Sequence, residues 1–122
     1  MNLYDQLILR HYHYPANQGK LKKPDEIFSG ANPLCGDELV ITVTLDAKKR
    51  IKEIGWDGKG CAISQAAASI FSEIAKGKTL SQIQKIKSDN FLKKLGMQLS
   101  PTRMKCALLP LYTLNNRNIF SP

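Results

Sequence analysis

Residues 32–37, Asn-Pro-Leu-Cys-Gly-Asp, hold a thiol and a carboxylate two positions apart, separated by glycine, which has no side chain. In extended backbone, residues i and i+2 point to the same face, so Cys35 and Asp37 can converge on one atom. Gly36 allows the backbone to turn tightly, and Pro33 stiffens the segment before the turn. The stretch therefore predicts a hairpin that presents two ligands together.

Two further cysteines follow, Cys61 in Gly-Lys-Gly-Cys-Ala-Ile-Ser and Cys106 in Arg-Met-Lys-Cys-Ala-Leu-Leu. An odd number of cysteines, in a chain that we expect in a reducing compartment, does not form a disulfide framework. Three thiolates and one carboxylate make four ligands, a full tetrahedral shell for a soft or borderline metal. The sequence therefore predicts a metal site formed by Cys35, Asp37, Cys61 and Cys106.

Three motifs, taken in order, carry a resemblance to a known family. Cys-Gly-Asp at 35–37, Gly-x-Gly-Cys-x-Ile-Ser at 58–64 and Arg-x-Lys-Cys at 103–106 resemble the U-type iron–sulfur cluster assembly proteins. The resemblance extends over about residues 3–115. It implies a protein that accepts persulfide sulfur from a cysteine desulfurase. It also implies that zinc, iron or a [2Fe-2S] cluster is bound by the same four residues for transfer to acceptor apoproteins or a downstream carrier.

The residues leave two mechanisms open. Housekeeping scaffolds of this family have a histidine where this chain has Lys105, whereas the zinc-binding branch of the sulfur-mobilisation (SUF) system has lysine. That branch also has an insertion between its second and third cysteines, and the segment from Cys61 to Cys106 is too short to hold it. Residues 99–103 only partly resemble the proline-rich stretch that recruits a chaperone to scaffolds. A cluster scaffold and a zinc-dependent sulfurtransferase relay that builds no cluster both remain, so enzyme status stays open.

Either Cys106 or Cys35 is the predicted persulfide acceptor. Arg103, Lys105 and a nearby helix start favour the thiolate of Cys106, whereas the Asp37 carboxylate disfavours that of Cys35. The SUF-branch resemblance implies the opposite choice, because its first cysteine takes the sulfur. We predict Cys106 from the local charges.

Two other classes of function fit the sequence less well. A structural zinc module normally uses cysteines in closely spaced pairs, and this chain has no such pair. A hydrolase with a cysteine nucleophile needs a histidine base, for which only His11 and His13 are available. Both histidines lie in the N-terminal segment, so we expect them to be structural.

The composition limits the possible partners. A chain of 122 residues predicts one domain over residues 1–122, and we expect a monomer or weak dimer. Its net charge of +8 favours anionic partners. The basic residues lack the aromatic interleaving or groove-reading motif typical of nucleic-acid binding. No apolar run approaches the roughly 20 residues of a membrane span, and no signal peptide is recognisable, which favours a cytoplasmic protein without a membrane partner.

The resemblance and the periodicity together predict an α+β fold, with a small antiparallel sheet of about three strands packed against helices and the metal site at one end. Residues 38–46 alternate apolar and polar side chains and form the clearest strand. Ile51 is out of phase with Ile54 and Trp56, which predicts a bulge or a later strand start. We predict further strands at 27–31 and 51–57, and helices at 2–12, 61–77, 79–87 and 88–95, with a last helix from 100 that bends at Pro110.

Overall fold

The computed structural model describes residues 3–32, 36–96 and 100–115. These residues contain five helices and three strands, joined by turns and loops. The strands are β1 (Glu26–Asn32), β2 (Asp37–Leu45) and β3 (Ile51–Lys59). The helices are α1 (Leu3–His13), α2 (Ala62–Ala75), α3 (Leu80–Gln84), α4 (Ser88–Leu95) and α5 (Pro101–Asn115). The predicted α+β class is confirmed, while a single domain over residues 1–122 stays a prediction.

The sheet is antiparallel in the order β1-β2-β3. Asn32 pairs with Asp37 at one end of the first ladder, and Glu38 pairs with Lys59 at the same end of the second. The start of β2, which carries Asp37, and the end of β3, which leads to Cys61, therefore lie side by side at one end of the sheet. This pairing brings the two predicted ligands together.

The apolar residues at alternate positions of β2 form the side of the hydrophobic core that lies against the sheet. Leu39, Ile41 and Val43 are buried, as their period of two predicts. A register shift between Thr44 and Leu45 sets Ile51 opposite Leu45. The predicted bulge is thus confirmed, and it explains how Ile51 is buried despite its phase.

The segment after α1 packs on the opposite face of the sheet at Thr42 and Gly55, which periodicity did not predict. The Leu21 N–H donates to Thr42 Oγ1 at 3.0 Å, and the Gly19 N–H donates to the Trp56 carbonyl at 2.6 Å. Gly55 allows this approach, because a Cβ there would collide with the Gly19 carbonyl oxygen. Thr42 is consequently buried although it lies on the polar face of β2.

Helices α2 and α5 pack on the inner face of the sheet and on each other. Helix α2 ends at Ala75, and Gly77 follows in the left-handed conformation, with φ of 84°. Helix α5 begins at Pro101, where proline is favoured because the first-turn N–H has no helical partner. The helix continues past Pro110 to Asn115, with Pro110 fully buried, and the bend there stays a prediction. Within the described ranges, no helix has both the length and the apolar character to cross a membrane.

Candidate metal centre

Asp37 is positioned by the turn between β1 and β2. The Gly36 N–H donates to the Asn32 carbonyl at 2.9 Å, and Gly36 has φ of 74°, a conformation that glycine adopts without steric cost. Asp37 is the first residue of β2 and only 3% exposed. Its Oδ1 accepts from the Cys61 N–H at 3.3 Å. The hairpin therefore places a buried carboxylate beside the backbone N–H of Cys61, where α2 begins.

Cys61 is the N-cap residue of α2, two residues after the end of β3 at Lys59, and its side chain is exposed. The position is the positive end of a helix of 14 residues, which favours a negatively charged group. Gly60 makes room for the arrangement, because a Cβ there would lie 2.8 Å from Asp37 Oδ1 and would collide with Ser64 Oγ. A side chain at residue 60 would therefore displace the Asp37 carboxylate and the Ser64 hydroxyl from their present positions.

Cys106 lies in the second turn of α5 and is 4% exposed. The field of the helix dipole is strongest in the first turn, so it acts on Cys106 less than the sequence prediction assumed. The Asn32 Nδ2 group donates to Cys106 Sγ at 3.8 Å. Cys61 and Cys106 thus differ sharply in their access to solvent.

These three segments converge on one point. The ligand atoms of Asp37, Cys61 and Cys106 all lie within 4.8 Å of one another. In tetrahedral zinc coordination with Zn–S bonds of about 2.3 Å, neighbouring ligand atoms are about 3.8 Å apart, so movements of about 1 Å bring them into range. The donor set fits a soft or borderline cation. Cys35, the fourth predicted ligand, lies outside the described residues.

His11 and His13 are not members of this cluster. His11 Nδ1 is 2.7 Å from Ser69 Oγ, and its Nε2 is 3.3 Å from a Glu73 carboxylate oxygen. Burial lowers the pKa of His11, with a smaller lowering from Arg10, while Glu73 opposes the shift. Ser69 Oγ also accepts from the Ala16 N–H at 2.7 Å, so the group attaches α1 and the following loop to α2. The role of His11 is structural, as expected, while that of His13 stays a prediction.

Sequence reasoning missed the role of one residue that forms the centre. Asn32 opens the stretch of residues 32–37, yet nothing in the sequence pattern identifies it as a contact of Cys106. Its burial at the end of β1 is decided by the fold, so no sequence signal indicated it. The glycines that flank Cys61 did predict a close approach of the backbone at the site, and Gly60 fits that prediction.

Comparisons with known proteins agree with this geometry. The family model of the NifU-like N-terminal domain matches residues 3–117. The iron-sulfur cluster assembly scaffold protein IscU 1 of Archaeoglobus fulgidus is 34% identical over 107 residues, which cover 88% of this chain and 69% of the relative. The zinc-dependent sulfurtransferase SufU of Bacillus subtilis is 34% identical over 124 residues, with coverages of 88% and 83%.

A solved structure shares the fold. It is that of a candidate iron-sulfur cluster assembly scaffold protein for the SUF system from Fervidobacterium islandicum, 27% identical in sequence. The superposition has a TM-score of 0.75 and covers 91% of this chain and 93% of the other.

Proposed function

Because this chain belongs to the NifU-like N-terminal domain family, as its three cysteine motifs predicted, we propose that it is an iron–sulfur cluster assembly protein. In this proposal it accepts persulfide sulfur from a cysteine desulfurase. It binds iron, a [2Fe-2S] cluster or zinc through Cys35, Asp37, Cys61 and Cys106, and it passes its cargo to acceptor apoproteins or a downstream carrier. Since its thiols must stay reduced, we propose a reducing compartment such as the cytoplasm.

The observation that carries the proposal is the convergence of Asp37, Cys61 and Cys106 within 4.8 Å. Thiolates are the ligands that iron–sulfur clusters and borderline cations prefer. The exposed side chain of Cys61 leaves the cluster of ligands accessible from solvent. A ligand that is accessible from solvent can be reached by a partner's ligand or persulfide, which supports a site that exchanges its cargo.

Sulfur uptake requires a thiolate of this chain to attack the terminal sulfur of the desulfurase persulfide. The new S–S bond forms on the attacking cysteine, the old S–S bond breaks, and the desulfurase cysteine leaves as a thiolate. Cys106 is the acceptor that we propose, with Cys35 as the alternative. Because Cys106 is buried, the residues that cover it must move, or the exposed Cys61 must take the sulfur first and hand it over.

We expect Asp37 to contribute more to ligand exchange at the metal than to the metal affinity of the site. A carboxylate is a harder ligand than a thiolate, so it binds a soft cation less strongly and leaves first. When Asp37 is not a ligand, the Cys61 N–H still holds its Oδ1 at 3.3 Å, next to the position that it must recover. The carboxylate can therefore swing away to admit an acceptor's ligand and return.

The zinc-dependent relay is the second candidate, and Lys105 favours it. The motif Arg-x-Lys-Cys at 103–106 has lysine before the third cysteine, as the resemblance to the zinc-binding branch implies. The relative SufU, a zinc-dependent sulfurtransferase, is 34% identical to this chain. The two candidates use the same ligands and differ in their cargo.

Analysis of metal and acid-labile sulfide in protein purified without oxygen tests both candidates. Iron and sulfide in equal amounts support the scaffold, zinc without sulfide supports the relay, and no metal at all contradicts the proposal. We expect Cys61→Ser to lose most of its bound metal, because a ligand is removed. Full metal retention by Cys61→Ser would remove Cys61 from the ligand set.

Peptide mapping of trapped persulfide tests the acceptor. After one turnover with a desulfurase, alkylation of the persulfide marks the cysteine that carries the sulfur. We expect the label on Cys106. Label on Cys35 alone would overturn this assignment and favour the relay, and label on Cys61 at early times would support handover from the exposed thiol.

A further inference from the structure

Asn32 is a buried amide at the centre of the proposed site. It is the last residue of β1, and 1% of its surface is exposed. Its backbone pairs with Asp37, and its carbonyl accepts from the Gly36 N–H at 2.9 Å. The main chain of Asn32 therefore closes the turn that precedes the carboxylate ligand.

The side chain of Asn32 points to a different ligand. Its Nδ2 group donates to Cys106 Sγ at 3.8 Å, across 74 positions of sequence. Burying an amide costs free energy that its hydrogen bonds must offset, so the contact with Cys106 is part of what stabilises Asn32 in this interior position. One residue thus connects the hairpin of Asp37 to the thiol of α5.

Two other side-chain hydrogen bonds, whose groups are not members of the ligand cluster, have oxygen acceptors. Asn17 Nδ2 donates to Ser72 Oγ at 2.9 Å, and Thr42 Oγ1 donates to the Gly55 carbonyl at 3.3 Å. Oxygen is a stronger acceptor than a thiol sulfur. The sulfur that accepts from Asn32 Nδ2 becomes a strong acceptor only when it is a thiolate, because a charged partner strengthens a hydrogen bond.

We propose that Asn32 is a positioning residue for Cys106, holding its sulfur toward Asp37 and Cys61 and donating an N–H···S hydrogen bond to the thiolate when it binds metal. This inference rests on the proposed function, since it takes Cys106 as a metal ligand. Hydrogen bonds from such outer partners orient metal ligands, and those to cluster sulfurs adjust the reduction potential. The bond draws electron density from the sulfur, which lowers the charge that it gives to the metal.

Cobalt(II), which absorbs light through charge transfer from thiolates, tests this role in Asn32→Leu. We expect Co²⁺ to bind about 10–100-fold more weakly than in the wild type, the usual loss when an outer partner of a metal ligand is removed. The charge-transfer band should shift to lower energy, because the sulfur without its N–H partner releases an electron more readily. Unchanged affinity and an unchanged band in folded Asn32→Leu would overturn the proposal.

Thr42→Val is the matched control, because it also removes a buried hydrogen-bonding group from the sheet with little change in shape. Its hydroxyl bonds to Leu21 and Gly55, which are not members of the ligand cluster. We expect lower stability but the wild-type cobalt band. If both variants shifted the band equally, Asn32 would have only a structural role.

A measurement on the wild type makes the test independent of how Asn32→Leu folds. In protein loaded with an NMR-active cadmium isotope, an N–H···S bond to a metal-bound sulfur gives a scalar coupling between the amide proton and the metal. We expect this coupling at the Asn32 side-chain amide. Cadmium binding without that coupling would overturn the role of Asn32 alone, whereas failure of the wild type to bind cadmium would overturn the proposed metal site as well.

Discussion

Gly60→Ala adds one methyl group beside the Asp37 carboxylate of the candidate site. Gly60 is not among the glycines with positive φ, so alanine can adopt its backbone conformation. Such an exchange by itself stabilises a protein by about 0.4–1 kcal/mol, because the unfolded chain loses freedom. Any loss of function must therefore come from the contacts of the new Cβ.

Those contacts set the size of the effect. The Cβ would lie 2.8 Å from Asp37 Oδ1, whereas ordinary contact begins at 3.4 Å, so the carboxylate oxygen must move by about 0.6 Å. Ser64 Oγ must move further, because its collision with the Cβ is closer. The same oxygen accepts the bond of 3.3 Å from the Cys61 N–H, so the shift also changes the geometry of that bond. We expect metal affinity to fall about 10–100-fold, which corresponds to about 1.4–2.7 kcal/mol.

Competition with a chromophoric chelator under anaerobic conditions measures this affinity. Gly55→Ala is the matched control, since its Cβ collides with the Gly19 backbone and not with a ligand. We expect Gly55→Ala to lose about 1–3 kcal/mol of folding stability and to bind metal normally when folded. A Gly60→Ala protein that binds metal within threefold of the wild type would refute the reasoning, because roughly half a kilocalorie per mole does not correspond to a displaced ligand.

Three further predictions concern the Asp37 carboxylate, the basic surface and the buried His11. Asp37→Ala should still acquire metal or cluster but transfer it to an acceptor more slowly than the wild type. The control is Asp57→Ala, which removes an exposed carboxylate of β3. Equal transfer rates in the two variants would contradict the exchange role of Asp37. Desulfurase binding should weaken as salt rises to about 0.1 M, where charges more than about 10 Å apart are screened, and an affinity independent of salt would indicate a mainly apolar contact. The pKa of His11 is lowered by burial from 6.5, so the unfolded chain binds the proton first and stability falls as the pH drops below about 6.5. Urea unfolding of His11→Gln should lose less stability over this interval than the wild type, and an equal loss would exclude His11 as the cause.

Much of the fold could be predicted because the signals are local. The alternation in residues 38–46 predicted β2, and the capping and stop residues predicted α4 and the start of α5 within a residue or two. The third helix is shorter than predicted, Leu80–Gln84 instead of 79–87, because Lys85 already forms its C-cap. The buried Thr42 could not be predicted, since the segment that covers it comes from a turn about twenty residues earlier.

The sequence by itself determined the chemistry of the candidate site, because ligand identity and motif order are properties of the chain. It also determined the hairpin, since a turn at Gly36 and an alternating strand depend on neighbouring residues. Only the tertiary structure decided that Cys61 is exposed and Cys106 buried, that Asn32 reaches Cys106, and that Gly60 leaves room for Asp37. The contact of Asn32 with Cys106 joins residues 74 positions apart, so it exists only after α5 has packed against the sheet, and no local pattern specifies it.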